Sequence, residues 1–346
     1  MSSMASSLLP NLQTLTVGLT SVLRSHGSTN GKLTVLDRQP NIYTSTFPSE
    51  IVTCQFDDDN RELQLLCKYG ADYSTSRDGR TSNVFGHKGG VPYEAAVYRH
   101  VLQSSLVSVP ISSRVSVPTF YGAYKDATTG DTWLILEYLD NHLRVSQAPD
   151  PAAMGWAARW IGQFHNASEE RLSQIPMSFL KRYDAEYYLG WARRTSLFAG
   201  DLHQRYPWLV SLCKRFDEAV AFMVTSPTTI IHGEYYSQNV LFRGGKIYPI
   251  DWESAAIAIG EIDLAALTER WSEEVARQCE LEYQRARYPE GSPVDFERRL
   301  CAARLYLQFR WLGQRPDWTR DANELYRFDQ LRFLGERLEL IGVHSK

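Results

Sequence analysis

The chain has no apolar stretch that approaches the length needed to cross a bilayer, so nothing in it calls for a helical membrane span. The first charged residue is Arg24; the basic n-region of a secretory signal peptide is therefore lacking, and the expected compartment is cytoplasmic. Cysteine is sparse. Cys54, Cys67, Cys213, Cys279 and Cys301 are the only five. They are odd in number, and none forms a Cys-x-x-Cys pair, so a disulfide framework is not expected and a reducing compartment is. An excess of either charge is also lacking. With 37 Lys plus Arg against 40 Asp plus Glu the net charge is −3, which gives no case for nucleic acid or a membrane surface as partner. Internal repeats and low-complexity tracts are absent. What remains is 346 residues, 43% of them hydrophobic, enough for a large core and two lobes.

The most informative segment runs His232-Gly233-Glu234-Tyr235-Tyr236-Ser237-Gln238-Asn239, with Ile250-Asp251-Trp252-Glu253 after it. An acid, four residues, an Asn and then a further acid make up the catalytic loop and metal-binding acid of a kinase-type phosphotransferase. Apolar β-type runs flank the loop: Thr229, Ile230 and Ile231 before it, Val240, Leu241 and Phe242 after it, and residues 247–250 leading into Asp251. Gly244-Gly245 between the last two predicts a hairpin turn. The residue types suit the chemistry. A nucleotide γ-phosphoryl group is surrounded by negative charge, and Mg²⁺, a hard cation, neutralises it through oxygen ligands. Asn239 offers a neutral carbonyl oxygen and Asp251 a carboxylate, while Glu234 would orient an attacking hydroxyl and accept its proton. Chance placement of three polar residues on loops is the plainer alternative; the matched spacing and the strands on both sides count against it.

On these residues the chain resembles the aminoglycoside phosphotransferase and choline kinase superfamily, whose motif is His-Gly-Asp, four residues, Asn, then an apolar strand ending in Asp. It departs at one place: Glu234 stands where the family has its catalytic Asp. The resemblance implies a protein-kinase-like fold, and the upstream half can be compared with it. Such enzymes carry a strand Lys that holds the phosphates and a helix Glu that holds the Lys. Residues 51–56 and 62–69 are β-type runs separated by Asp57-Asp58-Asp59-Asn60, a turn signal, and Lys68 ends the second run. Pro92 would open a helix over residues 93–102, with Glu94 in its first turn. A solvent-reaching Lys and a favourable N-terminal charge are the plain alternatives; the order of the two residues before the loop favours the ion pair. No Gly-x-Gly-x-x-Gly precedes them. Thr44, Ser45 and Thr46, after a short apolar run at residues 33–36, could bind phosphate oxygens or form a plain polar turn. The apolar run at residues 133–139 is the candidate hinge. The resemblance places adenine recognition on the main chain of Glu137, Tyr138 and Leu139, which leaves ATP and GTP unseparated.

Leu8, Leu9, Leu12, Leu15, Leu19, Val22 and Leu23 recur at helical spacing and predict an amphipathic helix against the small lobe. Residues 151–165 predict a helix started by Asp150 and Pro151, ending at a structural His165. Asp263 would cap a helix or, as the resemblance implies, hold the catalytic-loop backbone. Glu253 is either a further metal-shell acid or a solvated loop acid. Residues 280–346 carry eleven acids and eleven arginines, so the acidic bias of a polycation-binding pocket is missing. Arg285, Arg287, Arg298, Arg299, Arg304, Arg310 and Arg315 suggest an anionic or peptide substrate, or simply solvated helix faces. Tyr187, Tyr188, Trp191, Trp208, Trp252, Trp271, Tyr306, Trp311 and Trp318 could line a pocket or fill the core.

The expected architecture is α+β and bilobal, protein-kinase-like. Residues 1–138 would form a small antiparallel β lobe that binds nucleotide, and residues 139–346 a mainly helical catalytic and substrate-binding lobe. The expected activity is ATP- and Mg-dependent transfer of the γ-phosphoryl group to a hydroxyl of a small molecule or of a Ser/Thr peptide. The rival is a pseudokinase, a nucleotide-binding scaffold with Glu234 as its lesion; the presence of Lys68, Glu94, Asn239 and Asp251 argues against it.

Overall fold

Residues 49–56 alternate between half-buried and buried positions, the period-2 signature of a strand with one face on a core. This strand, β2 (Ser49–Phe56), belongs to a five-stranded antiparallel sheet of order β1-β2-β3-β5-β4, with β1 (Leu33–Pro40), β3 (Asp59–Gly70), β4 (Phe120–Lys125) and β5 (Thr132–Glu137). The computed structural model describes residues 9–27, 31–42, 47–71, 84–103, 115–150, 152–172 and 177–342. The chain folds as two compact units. One takes residues up to Leu143 together with Leu241–Ser254, the other Arg144–Val240 and Ala255 onward. The two-residue strand β6 (Leu143–Arg144) falls where the chain first passes from one unit to the other.

In the first unit the helix α1 (Leu12–His26) sends Leu15, Leu19, Val22 and Leu23 into one cluster with Val52, Cys54, Leu65, Cys67, Trp133 and Ile135. Asn11 caps it by accepting from the Thr14 amide, so the helix starts just after Pro10, which limits its start in the sequence as well. The β2–β3 turn is tighter than its four polar residues suggest. Phe56 pairs with Asp59, while the carboxylates of Asp57 and Asp58 accept from the Lys32 and Gly31 amides at 2.7 and 2.9 Å. The acids thus secure the start of β1. Glu50 lies on the core face of β2 and is 1% exposed, with Arg38 and the Tyr69 hydroxyl donating to it. The helix α2 (Gly90–Val97) begins before Pro92 and closes in a wider turn over Tyr98–Leu102. The strands β9 (Val240–Arg243) and β10 (Lys246–Pro249) join through Gly244 and Gly245, both at positive φ, which fits the hairpin turn the sequence predicts.

The second unit is mainly helical: α3 (Ala152–Leu172), α4 (Ala185–Ala199), α5 (Leu202–Arg205), α6 (Trp208–Thr225), α7 (Glu261–Leu267), α8 (Glu273–Arg287), α9 (Phe296–Gln314), α10 (Pro316–Arg320) and α11 (Tyr326–Arg337). Three short strands, β7 (Lys181–Arg182), β8 (Thr229–Ile231) and β11 (Ala256–Ala258), form a sheet of order β7-β11-β8. The helix α3 runs seven residues past His165. Close packing of α3 on α8 depends on Gly162, where a Cβ would lie 2.8 Å from the Tyr283 carbonyl oxygen. No helix of the described residues is long and apolar enough to cross a membrane.

Candidate active site

In the second unit, β8 delivers the chain into His232, and the loop that follows is held from below. Asp263, fully buried on α7, accepts from the His232 amide at 2.6 Å through Oδ2 and from the Gly233 amide at 2.9 Å through Oδ1. Gly233 sits at φ 84°, a conformation that favours glycine and turns the chain directly before Glu234. A second nitrogen reaches Oδ2: His165 Nε2, 3.1 Å away, while His165 Nδ1 lies 3.0 Å from the Tyr283 hydroxyl. A neutral imidazole that donates from Nε2 and accepts at Nδ1 satisfies both partners. Burial lowers the His165 pKa, against the pull of Asp263. Asp263 is therefore a loop anchor inside α7, where Gly260 occupies the N-cap position. The buried Tyr235 hydroxyl donates to the Ala157 carbonyl at 3.0 Å and ties the loop to α3.

Glu234 and Asn239 stand on this loop. The Asn239 side-chain amide nitrogen donates to the Glu234 carbonyl at 3.0 Å, which fixes the orientation of the amide. The Glu234 side chain is 13% exposed, and Arg310 Nη1 on α9 donates to its Oε1 at 3.1 Å. Arg310 also donates to the Tyr236 hydroxyl.

In the first unit, Lys68 on β3 donates from Nζ to Glu94 Oε2 at 2.8 Å and to Asp251 Oδ1 at 2.7 Å. Burial works against its charge, but the carboxylates of Asp251, Glu94 and Glu253 together push its pKa well above the ordinary value. Glu94 is 2% exposed; its other oxygen, Oε1, accepts from the Trp252 amide at 3.1 Å. Asp251 sits at φ 69°, an uncommon conformation for a residue with a side chain. It is braced on both sides, by Lys68 at its carboxylate and by Glu94 at the next amide. Glu253 is neither solvated nor exposed: it is 1% exposed and accepts from Lys88 at 2.7 Å. The Gly89 amide donates to its carbonyl at 2.8 Å.

At the end of β5, the Glu137 amide donates to the Thr119 carbonyl and the Tyr138 amide to the Gln64 carbonyl, at 2.8 and 3.0 Å, and Leu139 is buried. Thr44, Ser45 and Thr46 lie outside the described residues. Of the aromatic residues considered as pocket lining, Tyr187, Tyr188, Trp191, Trp252 and Tyr306 are interior. Trp271 lines a groove of about 910 Å³ on the second unit with Glu269, Arg304 and Gln308. The solvated-face reading of the C-terminal arginines holds for Arg285, Arg298 and Arg315. It fails for Arg287, Arg299 and Arg310, which are buried and paired with Glu169, Asp295 and Glu234. Nothing in the sequence pattern marks Arg310. The helix α9 is buried on nearly every side, so no polar stripe separates its inward arginines from its outward ones.

The family described as the phosphotransferase enzyme family (APH) matches residues 82–299, more than half of the chain and the whole of the segment from α2 to the start of α9. The chain belongs to that family. It is a kinase-type phosphotransferase of α+β, protein-kinase-like fold, as the motif leads one to expect. No curated protein matches it in sequence. Solved structures share the fold at low identity. An amicoumacin kinase in complex with AMP-PNP, Ca²⁺ and Ami is similar at 11% identity and TM-score 0.54, over 99% of this chain and 98% of that one. A thermostable mutant of an aminoglycoside phosphotransferase matches at 14% and 0.54, over 88% and 95%. Choline kinase LicA from Streptococcus pneumoniae matches at 12% and 0.52, over 89% and 94%.

Proposed function

We propose that the protein transfers the γ-phosphoryl group of ATP to a hydroxyl of a small molecule such as an amino alcohol, a sugar or a natural product. The observation that carries this reading is Lys68, whose ammonium is shared between Glu94 and Asp251. A buried Lys held by a helix Glu beside a cleft acid is the arrangement that grips nucleotide phosphates. The donor set suits Mg²⁺. Asp251 is one-third exposed at its side chain, Asn239 presents an amide oxygen, and Mg²⁺ needs only one or two protein ligands besides phosphate oxygens and water. Asn239 and Asp251 would hold the ion, which would neutralise the charge on the phosphates. Lys68 would bind the phosphates with Glu94 behind it, and Thr44, Ser45 and Thr46 would add donors. Main-chain groups at Glu137, Tyr138 and Leu139 would take the adenine. Glu234 would orient the acceptor hydroxyl and receive its proton as the new O–P bond forms.

In this reading residues 1–138 are the nucleotide lobe and residues 139–346 the acceptor lobe. The adenine-nucleotide analogue in the amicoumacin kinase supports an adenine base here. The intact Lys68–Glu94–Asp251 network counts against a scaffold that has lost catalysis. The test is a turnover screen of the full chain with Mg-ATP, and with Mg-GTP as competitor, over amino alcohols, amino sugars and hydroxylated peptides. We expect Glu234→Gln to lower kcat roughly 10²-fold or more, and Asp251→Ala to remove metal-dependent turnover while the circular dichroism spectrum stays unchanged. A wild-type chain that phosphorylates no acceptor and hydrolyses no ATP would return the scaffold reading. An Asp251→Ala variant as fast as wild type would remove Asp251 from the metal.

A further inference from the structure

We propose that Arg310 is a positioning residue for Glu234: the longer carboxylate at this place in the loop is aimed by a guanidinium reaching from α9. The inference rests on the phosphotransferase reading above, and it concerns the one position at which the chain departs from the family motif. A Glu carries one more methylene than an Asp, so its carboxylate samples more positions unless something fixes it. Arg310 supplies the fixing group. Its side chain is 6% exposed and that of Glu234 13%. A charge buried this deeply is costly unless paired and hydrogen-bonded, and Glu234 Oε1 and the Tyr236 hydroxyl, both on the loop after β8, accept from it. The guanidinium also lies 5.8 Å from the Tyr236 ring and 5.5 Å from the Trp311 ring, within reach of a cation–π attraction.

The platform beneath Arg310 is anchored on both sides along α9. The buried Thr195 hydroxyl donates to the Phe309 carbonyl at 2.9 Å, and Arg194 Nε donates to the Gly313 carbonyl at 2.8 Å. A charged group on an anchored helix places its partner better than one on a loop. The loop end of the pair is fixed in its turn by Asp263 at His232 and Gly233. The backbone directly before Glu234 is thus held from α7, and the Glu234 carboxylate from α9. For phosphoryl transfer, which depends mainly on placement and charge, this is the property the base needs.

The experiment uses the full chain and Mg-ATP, with the acceptor found in the screen and with water as the second acceptor. Arg310→Met, Arg310→Lys, Glu234→Gln and the Arg310→Met/Glu234→Gln double variant are compared with wild type. Arg310→Met is expected to lower kcat about 10²-fold, the scale of an ångström of misplacement, with little change in the KM for ATP. Arg310→Lys should recover part of that loss, because it returns a cation. In the Glu234→Gln background, Arg310→Met should cost nothing further, since residues that act as a unit are not additive. If Arg310→Met does not fold, Arg310→Lys and Arg310→Gln carry the comparison. An Arg310→Met variant with wild-type kcat overturns the inference and leaves the phosphotransferase reading standing. So does a full additional loss in the Glu234→Gln background, or an equal rise in the KM for ATP, either of which would mark a purely structural role. A wild-type chain that turns over no nucleotide overturns the phosphotransferase reading, and this inference with it.

Discussion

Replacing Asp263 by Asn changes one oxygen into a nitrogen and leaves the shape intact, so the outcome follows from hydrogen bonding alone. The carboxylate takes three N–H groups in a fully buried place: His232 and His165 at Oδ2, Gly233 at Oδ1. An Asn can offer its single oxygen where Oδ2 was. Its NH₂ then faces the Gly233 amide, donor against donor. Leaving a buried N–H without an acceptor costs about 1–3 kcal/mol, and the surviving bonds lose their charge assistance, roughly half their strength. We expect Asp263→Asn to be destabilised by about 2–4 kcal/mol in urea unfolding followed by tryptophan fluorescence. Hydrogen exchange should locate the damage, because the His232 and Gly233 amides lose protection ahead of the rest of the second unit. Unchanged protection at those amides with a stability change inside about 0.5 kcal/mol, the range of neutral surface changes, would refute the anchor.

Lys68→Met keeps the side-chain stem and removes the ammonium, so turnover should collapse while adenine-nucleotide affinity, read by titration calorimetry, changes far less; equal losses in both would detach Lys68 from the phosphates. Gly162→Ala should destabilise by about 1–3 kcal/mol, the cost of overpacking, because the new methyl group meets the Tyr283 carbonyl at 2.8 Å and Ala286 Cβ at 2.9 Å; a variant as stable as wild type in the same urea assay would mean that α3 and α8 separate freely. His165 has a folded pKa below the ordinary 6.5, chiefly through burial, so the unfolded chain binds the proton first. Its contribution is present above about pH 6.5 and is lost as pH falls below that, at up to about 1.4 kcal/mol per pH unit; His165→Gln should flatten this part of the stability profile, and an unchanged slope would exclude His165 as its source.

What the sequence makes legible here is what is local. The stripe of Leu15, Leu19, Val22 and Leu23, the alternation along β2 and the turn signal at Gly244-Gly245 each announce an element from residues that touch within it. The Lys68–Glu94 pair is also anticipated, because both residues belong to a motif with a fixed order. The remaining features depend on partners far along the chain. Asp263 looks like a helix cap from its neighbours; the resemblance alone points to the loop backbone, and its carboxylate does accept from His232 and Gly233, some thirty residues earlier. Arg310 looks like one of many arginines, and its partner Glu234 is 76 positions away. Glu253 reads equally as a metal-shell acid or a solvated one, and its partner Lys88 lies 165 positions earlier. The extent of α3 beyond His165 has the same origin: its last turns are mostly polar in sequence and are held by burial of Ala167, Ser168 and Arg171.

Glu94 uses its two oxygens for two different tasks, one on the Lys68 ammonium and one on the Trp252 amide. The consequence is a loss of independence. Loss of the Glu94 carboxylate takes an acceptor from the lysine, which keeps Asp251, and at the same time from the backbone next to Asp251. The phosphate-side lysine and the chain turn at Asp251 therefore share one support, and a substitution at Glu94 is felt at both.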